Sequence, residues 1–164
     1  MKPTILLVED EESDRIFLKL AFEKAGITNP IQVATDGQQA LDYFKGLGRF
    51  ADREEFPIPY LVIMDAKLPR VNGLDLLKMI RAEVNLNAVI VLILTASDQA
   101  KDIAKAYQLG VNGYLVKPHT LEGLNRMIQA LKDFWLVQNR PALEFSFPES
   151  AAATTVRPYA SVTN

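Results

Sequence analysis

Asp65 closes the apolar run Leu61-Val62-Ile63-Met64 and is followed by a turn at Leu68-Pro69. Two other apolar runs also end in ionisable groups: Ile5-Leu6-Leu7-Val8 leads into Glu9-Asp10, and Gly113-Tyr114-Leu115-Val116 leads into Lys117-Pro118. In an open parallel α/β sheet, chemistry collects at the carboxyl edge of the strands, where strand order reverses. Glu9, Asp10, Asp65 and Lys117 therefore converge if these runs are strands of one sheet. Carboxylates ~4 Å apart at an effective dielectric of ~20 repel by ~4 kcal/mol per pair, so a cation must hold them. Oxygen donors without histidine or cysteine select Mg²⁺ or Mn²⁺ over zinc. Mg²⁺ keeps waters and shares its coordination with phosphate oxygens, which points to a phosphoryl group. Lys117 supplies a point charge for that group. Thr95, ending Val91-Leu92-Ile93-Leu94, supplies a hydroxyl, and the Ala96 backbone N–H a further donor. Asp65 is the candidate nucleophile, because a carboxylate can form an acyl phosphate.

The elements that must position these groups alternate. Short β-branched runs near 4–9, 31–34, 60–65, 88–95 and 113–117 predict strands, and segments near 12–25, 37–46, 73–83, 98–109 and 120–138 predict helices. Alternation of this kind predicts βα units around a parallel sheet. The first, third and fourth runs are apolar throughout, as strands buried on both faces are. Gly26 marks the end of the first helix, Asp36 caps the second, Asp98 the fourth and Thr120 the fifth. Ile16, Leu20 and either Phe17 or Ala21 form the expected inward stripe of the first helix. The segment Gly46 to Pro59 is longer than most connections, and its glycines and prolines argue against a helix filling it.

Composition excludes several chemistries. Of 164 residues, 49% are hydrophobic and 23% charged, which suits one soluble domain with a short extension. A net charge of −2 provides no basic field for nucleic acid. The absence of cysteine removes disulfides, thiolate metal sites and cysteine nucleophiles, and the single histidine, His119, removes histidine metal clusters. The longest aliphatic run, Ala88 to Leu94, is too short for a membrane span, and the N-terminus lacks a signal-peptide pattern, so a cytoplasmic location is expected.

The motifs Val8-Glu9-Asp10-Glu11, Met64-Asp65 with Leu68-Pro69 and Gly73, Leu94-Thr95-Ala96, and Tyr114-Leu115-Val116-Lys117-Pro118 occur in order. Together they resemble a response-regulator receiver domain across residues 4 to about 138. The resemblance implies an α/β, flavodoxin-like (βα)5 fold, doubly wound, with a parallel five-stranded sheet in the order 2-1-3-4-5. It implies a phosphoacceptor signalling protein rather than an enzyme: a sensor histidine kinase donates a phosphoryl group to Asp65. Mg²⁺ would be held by Glu9, Asp10, Asp65 and the backbone carbonyl of Lys67. Lys117 would pair with phosphoryl oxygens across a cis Lys117-Pro118 bond, Thr95 would move to the phosphoryl group and Tyr114 would change rotamer. The Lys67 ammonium, two residues after Asp65, could shield the acyl phosphate. His119 is read as a surface or capping residue.

The long segment before Pro57-Ile58-Pro59 and the cluster Asp133-Phe134-Trp135-Leu136 resemble phytochrome-associated response regulators. That narrower resemblance implies a phytochrome kinase as partner. It also implies a homodimer through the face of the fourth helix, fifth strand and fifth helix, with Phe134, Trp135, Phe145 and Phe147 as candidate contacts. Packing of those aromatics on the protein's own sheet is the competing reading. Residues 1–138 form the expected receiver domain and 139–164 a C-terminal extension, partly disordered or dimer-associated. Two alternatives are a phosphatase using a strand-end aspartate, disfavoured because position 67 is lysine rather than a second acid, and a phosphorylation-independent interaction module with the same fold.

Overall fold

The computed structural model describes residues 2–140. Five strands, β1 (Ile5–Val8), β2 (Ile31–Ala34), β3 (Leu61–Met64), β4 (Ile90–Thr95) and β5 (Gly113–Val116), form one sheet in the order β2-β1-β3-β4-β5. All pairings are parallel, with Val8 opposite Met64 and Thr95 opposite Val116. Five helices connect and follow them: α1 (Glu12–Lys24), α2 (Gly37–Lys45), α3 (Gly73–Ala82), α4 (Ala100–Gln108) and α5 (Leu121–Leu131). This is the expected flavodoxin-like arrangement and strand order.

The apolar runs make this sheet because both of its faces are covered. Leu6, Val8, Val62, Met64, Val91 and Ile93 pack with Tyr43, Phe44, Leu76, Leu77, Ile80 and Ala106 from α2, α3 and α4. Ile5, Leu7, Leu61, Ile63, Leu92 and Leu94 pack on the other face with Leu18, Ala21, Phe22, Leu124, Ile128 and Leu131 from α1 and α5. Alternate residues of each strand thus enter two different cores, so a strictly alternating polar pattern would leave one face without partners.

Asp36 and Thr120 cap α2 and α5 as expected, accepting from the Gln39 and Gly123 N–H groups. Two other expectations are corrected. Asp98 does not cap α4: the residue flanking that helix is Gln99, and Ser97 instead donates to Asp102 at 2.7 Å. In α1 only Ala21 of the expected stripe faces inward, with Leu18 and Phe22 beside it, whereas Ile16, Phe17 and Leu20 are 51%, 42% and 54% exposed. The helix carries two apolar stripes at helical spacing, and the sheet takes only one.

The Gly46–Pro59 connection is ordered around Arg53. Its guanidinium donates to the carbonyls of Tyr43 and Phe44 in the last turn of α2 and to that of Phe56 within the connection, tying the loop to the end of the helix. Phe50, in a single 3₁₀ turn at Gly48–Phe50, is buried against Tyr43 and Phe56, and the Tyr43 hydroxyl donates to the Pro57 carbonyl at 2.7 Å.

The fifth helix does not stay α-helical to residue 138. Beyond Leu131 it widens into a π-helical segment, Lys132–Gln138, with the Asn139 N–H donating to the Phe134 carbonyl. The Trp135 carbonyl is taken by the Tyr60 hydroxyl at 2.8 Å, and Lys132 reaches the Ala25 carbonyl at 2.7 Å. Trp135 and Leu136 pack against the α1 and α5 side of the core, while Phe134 stays 56% exposed. Among the described residues no helix is long and apolar enough to cross a membrane.

Candidate functional site

Each sequence-predicted polar group lies at or just beyond the carboxyl end of its strand. Glu9 and Asp10 follow β1, Asp65 follows β3, Thr95 ends β4 and Lys117 follows β5. The sheet ladder continues one residue past each strand and locks these positions: Asp65 N–H donates to the Val8 carbonyl at 3.0 Å, and Lys117 N–H to the Thr95 carbonyl at 2.8 Å. The loop after Asp65 is held against α3 at Gly73, whose N–H donates to the Ala66 carbonyl at 3.1 Å. A Cβ on Gly73 would stand 2.2 Å from the Asp65 carbonyl oxygen, so this approach admits only glycine.

Lys117 Nζ sits among three carboxylates: Glu9 Oε2 at 2.7 Å, Asp14 Oδ2 at 2.7 Å and Asp65 Oδ2 at 2.8 Å. The other Asp65 oxygen accepts from the Thr95 hydroxyl at 2.9 Å and the Lys67 N–H at 2.8 Å. Both oxygens of Asp65 are therefore oriented by donors, and its side chain is only 12% exposed. The ammonium of Lys117 thus bridges the carboxylates of Glu9, Asp14 and Asp65.

Burial is the larger influence on Glu9 and pushes its carboxyl above the usual carboxylate range, although Lys117 pulls the other way. Burial disfavours the Lys117 ammonium, but the hydrogen bonds to Asp14, Asp65 and Glu9 outweigh it and hold its pKa above the ordinary lysine value.

Asp10 is half-buried beside Glu9 but takes no part in this ion-pair cluster, while its carbonyl accepts from Arg15 at 2.6 Å. Asp14 stands in the cluster although it is not among the residues predicted from the sequence. It lies in the first turn of α1, inside the acidic stretch Glu9 to Asp14, where the helix dipole alone accounts for acids. Its place in that turn gives no sign that Lys117 reaches it. Tyr114 is half-buried, and its hydroxyl donates to the Ser97 carbonyl at 3.0 Å. Ala96 and His119 are exposed at the mouth. The Lys117-Pro118 peptide is trans, as is every peptide bond of the described residues, which corrects the expected cis bond. Phe145 and Phe147 lie outside the described residues.

Residues 5–129 match the response regulator receiver domain family. The chain belongs to that family. This receiver is 38% identical over 139 residues to the probable methanogenesis regulatory protein FilR2 of Methanothrix harundinacea (strain 6Ac), covering 83% of this chain and 85% of the relative. The crystal structure of response regulator RPA3017, in red light signaling of R. palustris, superimposes with a TM-score of 0.81 at 34% identity, covering 87% of this chain and 99% of that one. The bacteriophytochrome response regulator RtBRR is 40% identical with a TM-score of 0.70, covering 87% and 86%. The receiver is thus closely related to phytochrome-associated response regulators. Its function is receiver phosphotransfer coupled to a change of interaction surface, and its chemistry is its own phosphorylation and dephosphorylation.

Receiver phosphoaspartate chemistry is Mg²⁺-dependent, and the donors at this receiver's cleft fit such an ion. They are carboxylate oxygens from adjacent strands, with no sulfur or imidazole among them. Among the described residues no three carboxylate or imidazole side chains gather into a complete cage. Mg²⁺ does not require one, since it retains several waters and takes few protein ligands.

Proposed function

We propose that Asp65 is the phosphoacceptor of a response regulator served by a sensor histidine kinase, a phytochrome in the closest reading. The observation that supports this most directly is the pair of contacts on Asp65: Lys117 at 2.8 Å on one oxygen and Thr95 at 2.9 Å on the other. A carboxylate oxygen of Asp65 attacks phosphorus. The bond from phosphorus to the donor imidazole nitrogen breaks, and the electron pair leaves with the imidazole. The lysine ammonium then meets a phosphoryl oxygen, balancing charge as it develops. Glu9, Asp10, Asp65 and the Lys67 backbone carbonyl would hold Mg²⁺, which when bound neutralises the transferring phosphoryl group.

A phosphoryl group adds about −1.5 to −2 charges at one point. Thr95 and Lys117 already bond Asp65, so that charge acts first on the ends of β4 and β5. Tyr114 transmits the change, because its hydroxyl holds the loop that leads into α4 through Ser97. The readout is a homodimer through the face of α4, β5 and α5. Phe134, the exposed partner of the edge-to-face pair with Trp135, is the better contact candidate of the two. Trp135 serves mainly the protein's own core.

Incubation with acetyl phosphate and Mg²⁺, or with a phytochrome kinase and ATP, labels the wild type and not Asp65→Asn. Undiminished labelling of Asp65→Asn rejects the assignment. Size-exclusion chromatography before and after beryllofluoride treatment tests the dimer.

A further inference from the structure

Asp14 is the third residue of α1 and stands at the rim of the cleft, its side chain 36% exposed. Its Oδ2 is 2.7 Å from Lys117 Nζ, as close as that of Glu9. A lysine ammonium has three N–H donors. Here Glu9, Asp14 and Asp65 provide one carboxylate for each. Two of those three acceptors carry no phosphoryl group in the reaction proposed above. When Asp65 becomes an acyl phosphate, its carboxylate charge is gone, and the N–H that faced it can pass to a phosphoryl oxygen while the other two bonds persist.

We propose that Asp14 is a positioning residue for phosphotransfer: together with Glu9 it fixes the reach and rotation of the Lys117 ammonium so that the remaining N–H faces Asp65. A single acceptor would leave the ammonium free to spin about its Cε–Nζ bond at the end of a flexible four-carbon stem. The second acceptor comes from a different element, and that element is anchored. Arg15 donates to the carbonyls of Glu9 and Asp10 at 2.9 and 2.6 Å, tying the first turn of α1 to the end of β1. Asp14 and Glu9 are thus held on one rigid corner, which is what a geometric support must be. The inference rests on the reading of Asp65 as phosphoacceptor.

A negative charge near an incoming phosphoryl group also repels it, and this effect has the opposite sign. If repulsion dominated, removing Asp14 would speed labelling. The test follows the full-length protein with acetyl phosphate and Mg²⁺. The Asp65 oxygen to phosphorus bond forms, the phosphorus to acetate oxygen bond breaks, and acetate leaves with the electron pair. Asp14→Ala slows labelling about tenfold, less than the roughly hundredfold that a 1 Å misplacement can cost because Glu9 still holds the ammonium, and Asp14→Asn falls between it and wild type because it keeps an acceptor. In a Lys117→Ala background, Asp14→Ala causes no further slowing. Without Mg²⁺ or phosphodonor, the Lys117 ammonium protons give a slowly exchanging NMR signal in wild type, and Asp14→Ala loses it. Labelling of either Asp14 variant at or above the wild-type rate overturns the proposal. So does an unchanged ammonium signal, or additive slowing without Lys117. Asp65→Asn separates the two readings: undiminished labelling there rejects the phosphoacceptor itself. Loss there beside wild-type rates in Asp14→Ala rejects only the positioning role.

Discussion

The Thr95 hydroxyl donates to Asp65 Oδ1 at 2.9 Å, joining the ends of adjacent strands β3 and β4 through side chains as well as through the backbone ladder. Thr95 is 1% exposed, so few substitutes for this bond are at hand. Thr95→Ala is expected to lower stability by about 1 kcal/mol, read by urea denaturation. It is also expected to blunt the beryllofluoride-induced shift of Tyr114 in NMR spectra. Thr95→Ser, which keeps the hydroxyl, retains that shift; a full shift in Thr95→Ala would mean the hydroxyl does not couple the site to Tyr114.

Lys117 is the only cation paired with the side-chain carboxylates of Glu9, Asp14 and Asp65 among the described residues. Lys117→Met leaves buried Glu9 without its partner and is expected to cost about 3 kcal/mol in Mg²⁺-free buffer. Millimolar Mg²⁺ should restore a larger part of that loss in the variant than it adds to wild type, because it supplies the missing positive charge. Equal Mg²⁺ effects on the two unfolding midpoints would contradict a metal that offsets the charge of Glu9 and Asp65 in place of Lys117.

Gly73 allows α3 to start against the Asp65 loop. In Gly73→Ala the new methyl group falls on the Asp65 carbonyl oxygen at 2.2 Å, and backbone must move to admit it. A stability loss of about 1–3 kcal/mol is expected, together with slower acetyl phosphate labelling as the acceptor loop shifts. Unchanged labelling would show that the loop absorbs the strain without displacing Asp65.

Tyr43 gives a pH dependence far from the cleft. Burial pushes its hydroxyl up to about 12, from an ordinary value of 10.0, with Arg53 pulling the other way. The folded protein therefore holds this proton more tightly than the unfolded chain. The resulting stability is complete below pH 10 and is lost as pH rises through about 12. Tyr43→Phe should flatten the alkaline fall in urea midpoint. At neutral pH it should cost ~1–3 kcal/mol, because the Pro57 carbonyl loses its donor. Parallel alkaline curves for the two proteins would reject this origin.

The sheet was legible because β1, β3 and β4 carry apolar runs with polar groups at one end, and a parallel topology puts those ends on one edge. Glu9, Asp65, Thr95 and Lys117 could be placed from that regularity alone. Asp14 could not, since its role depends on how far the Lys117 stem reaches across to α1, a distance no strand register sets. The inward stripe of α1 was ambiguous for a related reason: Ile16, Phe17 and Leu20 repeat as well as Leu18, Ala21 and Phe22 do. Periodicity identifies an apolar stripe, and only the incoming sheet selects between two. The order of the Gly46–Pro59 segment was hidden because Arg53 stabilises it through backbone carbonyls, which leave no mark on composition.

Tyr60 fastens the end of the described chain to the root of the strand whose tip holds Asp65, through Trp135 on one side and Asn139 on the other. Four residues of strand rise about 13 Å, so Asn139, held by Tyr60, lies at the edge of the sheet opposite Asp65. A dye carried by a cysteine at exposed position 140, in a sequence with no other cysteine, would sit across the sheet from the acidic cleft and leave that cleft clear for watching the kinase dock.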